Sequence, residues 1–250
     1  MKTAYDKIGT SYSATRRPDP RIAARILDAL GDAASVVNVG AGAGSYEPRD
    51  RIVAAVEPSD VMIRQRAPDA APVIQASAEA LPFADGAVDA ALAVLTVHHW
   101  THRDLGLREM RRVAARRVVI LTWDEDVWES FWLIREYLPS IRELDRPRAT
   151  SISDLVATLG SAQIVSVPVP HDCVDGFHGA FWRRPEAYLD HQVRSGISTY
   201  ALMPAAERDD GLGRLAADVE SGAWSQRHAD LLNADELDLG YRLIVSESGR

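Results

Sequence analysis

Residues Val36-Val37-Asn38-Val39-Gly40-Ala41-Gly42-Ala43-Gly44-Ser45 run a short apolar segment into three glycines at alternate positions. Glycine at this spacing lets a backbone turn sharply and approach a bound ligand where side chains would collide. The order of glycines discriminates between ligands. A dinucleotide fingerprint, G-x-G-x-x-G, seats a pyrophosphate on a helix N-terminus. Here Ser45 and Tyr46 follow a G-x-G-x-G run, and residues 45–50 alone separate the glycines from Arg51, which opens the next apolar run. That leaves barely room for a phosphate-binding helix and disfavours a nicotinamide oxidoreductase. The second apolar run ends in Val56-Glu57-Pro58-Ser59. An acidic residue at the carboxyl end of a second strand, beside a glycine loop, can accept both hydroxyls of an adenosine ribose. The alternative is that Glu57 caps the following helix, a task for which Ser59 and Asp60 are better placed.

Three further groups of residues carry chemistry. His98-His99-Trp100 directly follows the apolar run Val88–Leu95, and histidine is the natural general base near neutrality. His98 can face an acceptor, or the two histidines can cap a helix beginning near residues 101–104. The stretch Pro170–His178 gathers His171, Asp172, Cys173, Asp175 and His178, which either line an acceptor pocket or form an ordinary loop. Its His and Cys spacing matches no metal site, and no partner cluster exists elsewhere, so no metal is expected; Cys173 has no nucleophile signature. Trp123, Trp128 and Trp132 can wall an apolar acceptor site or pack in the core.

The elements that must hold these residues follow from the hydrophobic patterning. Short β-rich runs at residues 35–39, 52–56, 73–75, 88–95, 118–122 and 164–169 alternate with helical stretches over residues 35–169, and a last β-rich run follows at 239–245. This is the pattern of an α/β parallel sheet covered by helices, and the near-continuous apolar runs suit strands buried on both faces. A helix over 21–30 has Ile22, Ile26, Leu27 and Leu30 at helical spacing, with Gly31 as its stop. An aromatic-rich helix is expected over 127–138. Helical patterns over 185–197 and 205–220 precede the last strand. The chain therefore reads as one domain: an N-terminal helical lid over 1–34, a cofactor-binding core over 35–169, a helical cap inserted over 170–237, and a last strand within 238–250.

Composition narrows the class. The 250 residues are 46% hydrophobic and 26% charged, close to an average soluble globular protein. The formal net charge of −8 would repel phosphate backbones and anionic lipid, so neither a nucleic acid nor a membrane is an expected partner. One cysteine rules out an internal disulfide and fits a reducing compartment. No run of apolar residues is long enough to span a membrane and the N-terminus lacks a secretory core, so the expected location is the cytoplasm. All but two of the 28 basic residues, Lys2 and Lys7, are arginines, a bias from which no function is drawn.

The glycine loop, Glu57, Ala78-Glu79-Ala80-Leu81-Pro82-Phe83 and Val88-Asp89, in this order, resemble the class I S-adenosylmethionine-dependent methyltransferases, most closely the small-molecule group called methyltransferase type 11. The resemblance spans about residues 35–123. It implies a Rossmann-like, doubly wound, mostly parallel seven-stranded sheet, S-adenosylmethionine as cofactor with S-adenosylhomocysteine as product, and a small-molecule methyl acceptor. It further implies that Gly40, Gly42 and Gly44 lie under the methionine part, that Glu57 holds the ribose, and that Pro58 and Met62 pack on the adenine. Ser77 stands where the family often has Asp and would meet the adenine amino group; the Ala78 N–H would meet a ring nitrogen, and Leu95 would face the methionine part. Asn38 replaces the usual acid, keeping an acceptor but losing its charge. From the N-terminal segment, Tyr12 and Arg17 are expected to reach the methionine carboxylate, and His98 is the expected catalytic base. Base methyltransferases need an acid or Asn with Pro-Pro and an aromatic after the fourth strand, where this chain has Leu95-Thr96-Val97-His98.

Overall fold

The computed structural model describes residues 16–147, 149 and 151–247; Tyr12 lies outside them. The apolar runs become β1 (Ser35–Val39), β2 (Ile52–Val56), β3 (Val73–Ile74), β4 (Val88–Val94), β5 (Ala114–Trp123), β6 (Gln163–Ser166), the short β7 (Val169–Pro170) and β8 (Glu236–Leu237), and β9 (Tyr241–Glu247). Seven strands form one sheet in the order β3-β2-β1-β4-β5-β9-β6. Strands β1 to β5 are mutually parallel, and β9 runs antiparallel between β5 and β6. The expected Rossmann-like α/β sheet is the one observed.

Alternate residues of each central strand feed two cores. Val37, Val118 and Ile120 face a layer with Leu107, Met110 and Leu155, while Val36, Leu92, Val119 and Leu121 face Ile22, Ile26 and Leu30. Burial on both faces is why these strands read as unbroken apolar runs. Helix α1 (Pro20–Leu30) starts at Asp19, whose carboxylate accepts from the Arg21 N–H, and stops at Gly31. The chain order reverses between β2-β1 and β4-β5, so β1 and β4 flank a topological switch point, whose carboxyl edge is where an open α/β sheet binds ligands.

Several boundaries differ from the sequence expectation, the last strand among them, since β9 spans Tyr241–Glu247 rather than 239–245. Strand β5 begins at Ala114 rather than Val118, since its early residues are held by pairing: Ala114 lies opposite Val88 and Arg117 opposite Glu247. The run expected as one strand over 164–169 is divided, with β6 in the main sheet and β7 paired to β8. The aromatic stretch is not one helix. A short helix at Glu125–Trp128 ends where the Ser130 Oγ donates to the Val127 carbonyl at 2.6 Å, and a wide π-type turn follows at Leu133–Tyr137. Its aromatics serve two walls: Trp128 faces Tyr241 of the sheet, whereas Trp132 packs on Trp224 and donates from Nε1 to the Trp182 carbonyl. A straight helix would aim both the same way. The pattern over 185–197 likewise splits, because Asp190 is extended and accepts from the Gln192 N–H to start a new turn. The helix Ala205–Glu220 is as expected.

Candidate functional site

The loop after β1 closes over the end of β2. The Gly40 and Ala41 N–H groups both donate to the Val56 carbonyl, at 2.8 and 3.0 Å. Gly40 has φ +70°, and a Cβ there would sit 2.2 Å from Thr96 Oγ1. Only glycine allows this approach between the ends of β1 and β4. Among the described residues no helix lies between β1 and β2, which agrees with the short spacing after Gly44. Gly44, at φ +97°, serves the turn itself, donating to the Ala41 carbonyl, and does not line the cavity described below.

Glu57 is 6% exposed at the end of β2. Its Oε2 accepts from the Gly42 N–H and its Oε1 from the Ser59 N–H, both at 2.8 Å. The carboxylate is thereby fixed against the glycine loop. The cap of helix α2 (Asp60–Ile63) is Ser59, whose Oγ accepts from the Met62 N–H, so capping is not the task of Glu57. Behind the loop, Asn38 Nδ2 donates to Glu47 Oε1 at 3.3 Å, Arg66 Nη2 donates to both Glu47 oxygens, and Arg66 Nη1 donates to the Gly42 carbonyl. The acid absent from position 38 is replaced nearby by Glu47. Glu47 and Arg66 escaped the sequence reading because an irregular loop carries no periodicity.

A cavity of 780 Å³ opens over these groups, lined by Asn38, Gly40, Gly42, Glu57, Pro58, Met62, Ser77, Ala78 and Leu95 among others. Nine of the expected cofactor residues thus meet at one edge of the sheet, in a volume suited to a nucleoside-bearing ligand. The glycine cradle, the fixed carboxylate and the apolar Met62 side chain together fit S-adenosylmethionine. Arg17 is exposed and Arg16 lines the cavity instead. Residues 16–19 have no regular secondary structure, so no periodicity in the sequence distinguishes the two arginines.

Leu95 leaves β4 with φ +50°, a conformation that costs a bulky residue about 1–3 kcal/mol, while its N–H donates to the Leu121 carbonyl at 2.8 Å. This turn divides the large cavity from a second chamber of 90 Å³, lined by His98, Trp123, Trp128, Phe177, His178 and Tyr241. Both spaces are bordered by Arg16, Leu95 and His99. His98 lies in the turn Val97–His99, 4.4 Å from the Trp123 ring. The following helix α3 (Arg103–Val113) has His102 at its N-cap with no side-chain cap bond, so neither His98 nor His99 caps it, and Glu79 accepts from the Thr101 and His102 N–H groups just before it. Trp132 lies away from the chamber.

The Pro170–His178 stretch contributes unequally. Cys173 is buried, and burial pushes its thiol up to about 12, so it is not a nucleophile at neutral pH. Asp175 is fully buried and accepts from Arg16 Nε and the Tyr46 hydroxyl, both at 2.8 Å. Tyr46 is itself left-handed at φ +62°. Asp19 ties the same strap to α1 by accepting from the Val174 N–H; burial pushes its carboxyl up, but the Arg21 and backbone donors outweigh this and hold it at about 2. His171 turns instead toward the Asp235 carbonyl. His178, 8% exposed, is enclosed by Trp128, Phe131, Tyr188 and Tyr200, and burial lowers its imidazole to about 3. Among the described residues no group of three His, Cys, Asp or Glu side chains is placed to hold a metal.

Comparison with known proteins gives a consistent picture. A family model described as a methyltransferase domain matches residues 37–121. A protein of Anabaena variabilis, described as a methyltransferase from an antibiotic biosynthesis pathway, is 33% identical over 93% of this chain and 98% of its own, with a TM-score of 0.86. An S-adenosylmethionine-dependent methyltransferase of Thermotoga maritima superposes with a TM-score of 0.53 at 15% identity, over 98% of this chain and 93% of its own. The Streptomyces coelicolor geranyl diphosphate C-methyltransferase, solved with S-adenosylhomocysteine, superposes with a TM-score of 0.52 at 14% identity, over 92% of this chain and 77% of its own. The last two show a shared fold. No curated protein sequence matches the chain.

Proposed function

The chain belongs to the class I S-adenosylmethionine-dependent methyltransferases, and we propose that it methylates a small molecule held in the aromatic chamber beyond Leu95. The observation that carries this reading is the shared border of the two cavities at Arg16, Leu95 and His99. When bound, the cofactor supplies an electrophilic methyl on a sulfonium. Methyl transfer is an in-line displacement, so alignment and exclusion of water supply most of the acceleration. Gly40 and Gly42 would let the backbone approach the methionine part, Glu57 would accept the ribose hydroxyls, and Pro58 and Met62 would flank the adenine. Ser77 and Ala78 line the same cavity and would meet the adenine edge. Arg16, oriented by Asp175, would take the methionine carboxylate in place of the expected Arg17.

On the acceptor side, Trp123, Trp128 and Tyr241 exclude water, and His98 would take the acceptor's proton as the methyl arrives. The Anabaena relative's description, the small chamber and the net charge of −8 favour a small acceptor over a polyanion. No nucleic acid or membrane partner is proposed; among the described residues no helix is long and apolar enough to cross a bilayer. The cytoplasm is proposed as its location.

The test is an assay of S-adenosylhomocysteine formation from methyl-labelled S-adenosylmethionine across a panel of phenols, amines and carboxylic acids. Turnover that depends on an acceptor, and that falls about a hundredfold in His98→Ala, supports the proposal. Cofactor binding with no turnover of any acceptor would mark instead a non-catalytic binding protein.

A further inference from the structure

A buried imidazole with neither nitrogen hydrogen-bonded is costly, and a native fold rarely keeps one without a purpose. Neither Nδ1 nor Nε2 of His178 has a partner among the described residues, and the same holds for the Nε1 of Trp128, 5.3 Å away ring to ring, and for the hydroxyl of Tyr200, 5.4 Å away. His178 and Trp128 both line the 90 Å³ chamber, on the part of its wall that is not shared with the larger cavity. All three side chains are more than nine-tenths buried. A fold that merely needed to fill this space would use Leu or Phe, which carry no such penalty.

Resting on the methyltransferase reading above, we propose that His178 and Trp128 select the acceptor: they hydrogen-bond an uncharged hydroxyl or carbonyl oxygen on a ring-sized molecule and so fix it in the chamber. Burial holds the imidazole neutral far below physiological pH, so it offers one N–H and one acceptor lone pair. The indole adds a second N–H. This pairing matches a hydroxyl, which donates to one group and accepts from the other. A carboxylate or ammonium would have to shed its hydration beside His178, Trp128 and Tyr200, which carry no charge; the charged groups at the chamber's border are Arg16, already paired with Asp175, and Asp145. A site built to hydrogen-bond an oxygen discriminates strongly against analogues that lack it. His178 acts here as a specificity residue, while proton removal stays with His98.

The experiment uses the full chain saturated with S-adenosylhomocysteine, and phenol as the probe, followed through the tryptophan indole signals in NMR. Toluene has the same shape without the oxygen; benzoate and benzylammonium carry a charge. Phenol is expected to bind at least tenfold tighter than the other three. In His178→Leu, phenol should weaken about tenfold toward the toluene value, S-adenosylhomocysteine should bind as in the wild type, and the melting temperature should rise, because an unmet buried polar group has been removed. His178→Asn, which keeps a donor and an acceptor, should recover part of the phenol affinity.

Equal binding of phenol and toluene, no phenol binding by the cofactor-loaded protein, tight binding of a charged probe, or a lowered melting temperature in His178→Leu would each overturn the proposal. A rise in stability with loss of phenol binding is a combination that a purely structural histidine does not produce. Absence of S-adenosylhomocysteine binding by the wild type would defeat the methyltransferase reading itself, and is measured separately.

Discussion

The two cavities that meet at Leu95 are built from different materials. The larger is set by backbone and the one carboxylate that backbone fixes: the Gly40 and Ala41 N–H groups folded onto Val56, the Gly42 N–H on Glu57, and a left-handed turn at Leu95. The smaller is made of side chains, with Trp123, Trp128, Phe177 and Tyr241 around three histidines, His98, His99 and His178. A backbone-built site can hold one ligand while its side chains drift, whereas a side-chain-built site changes its ligand with each substitution. The Arg16–Asp175–Tyr46 cluster, which joins residues before α1, the loop after β1 and the Pro170–His178 stretch, ties the two cavities together.

The largest effect is expected where the two regions are joined. Asp175→Asn removes the carboxylate that Arg16 and Tyr46 share in a fully buried setting; breaking such a pair costs about 3–5 kcal/mol, so chemical denaturation should show a loss of this order and both ligands should weaken together. Loss of one ligand alone would separate the regions. Gly40→Ala attacks the backbone-built side, since it forces φ +70° on a residue whose Cβ would sit 2.2 Å from Thr96 Oγ1. The left-handed backbone alone costs about 1–2 kcal/mol, and the clash adds to it; cofactor titration should register the loss in full.

The side-chain-built region should reveal itself through pH. His178 has its folded-state value lowered to about 3 from an ordinary 6.5, so the unfolded chain binds the proton first as pH falls. Stability is therefore complete above pH 6.5 and declines toward pH 3, at up to about 1.4 kcal/mol per unit. Most carboxylates remain ionised from pH 6.5 to 5, so His178→Leu should flatten the wild-type slope in that interval. The smallest effect concerns Asn38. Restoring the family's usual acid by Asn38→Asp would set a carboxylate beside Glu47, 3.3 Å from the present amide; like charges at that range repel, and a destabilisation of about 1–2 kcal/mol is expected, with no gain in cofactor affinity.

The same contrast governs what could be read from the sequence. Strands β1 and β2, the glycine loop and Glu57 lie within some twenty-five residues, and their roles follow from local spacing, so β1, β2 and the position of Glu57 at a strand end match the structure residue for residue. The chamber was legible only as separate suggestions. Trp123 and Trp128 are close in sequence, but His178 and Tyr241 come from distant segments, and Tyr241 reaches Trp123 only through the pairing of β5 with β9. Nothing local distinguishes Trp128, which lines the chamber, from Trp132, which faces the cap core; the break in the helix between them decides it. Arg16 cannot be told from Arg17 in the sequence because residues 16–19, without regular secondary structure, have no periodicity to choose by. The Glu79 carboxylate has no local signal for the opposite reason: it is remote in sequence from the Thr101 and His102 N–H groups that it accepts from.

The most direct test of the two-material account is calorimetric titration of S-adenosylhomocysteine into the wild type, Glu57→Ala and His178→Leu side by side. The account predicts that Glu57→Ala weakens binding by at least tenfold, in line with about 1.5–3 kcal/mol for a hydrogen bond to a charged group, while His178→Leu leaves it unchanged. Equal weakening by both substitutions, or wild-type affinity in Glu57→Ala, would contradict it.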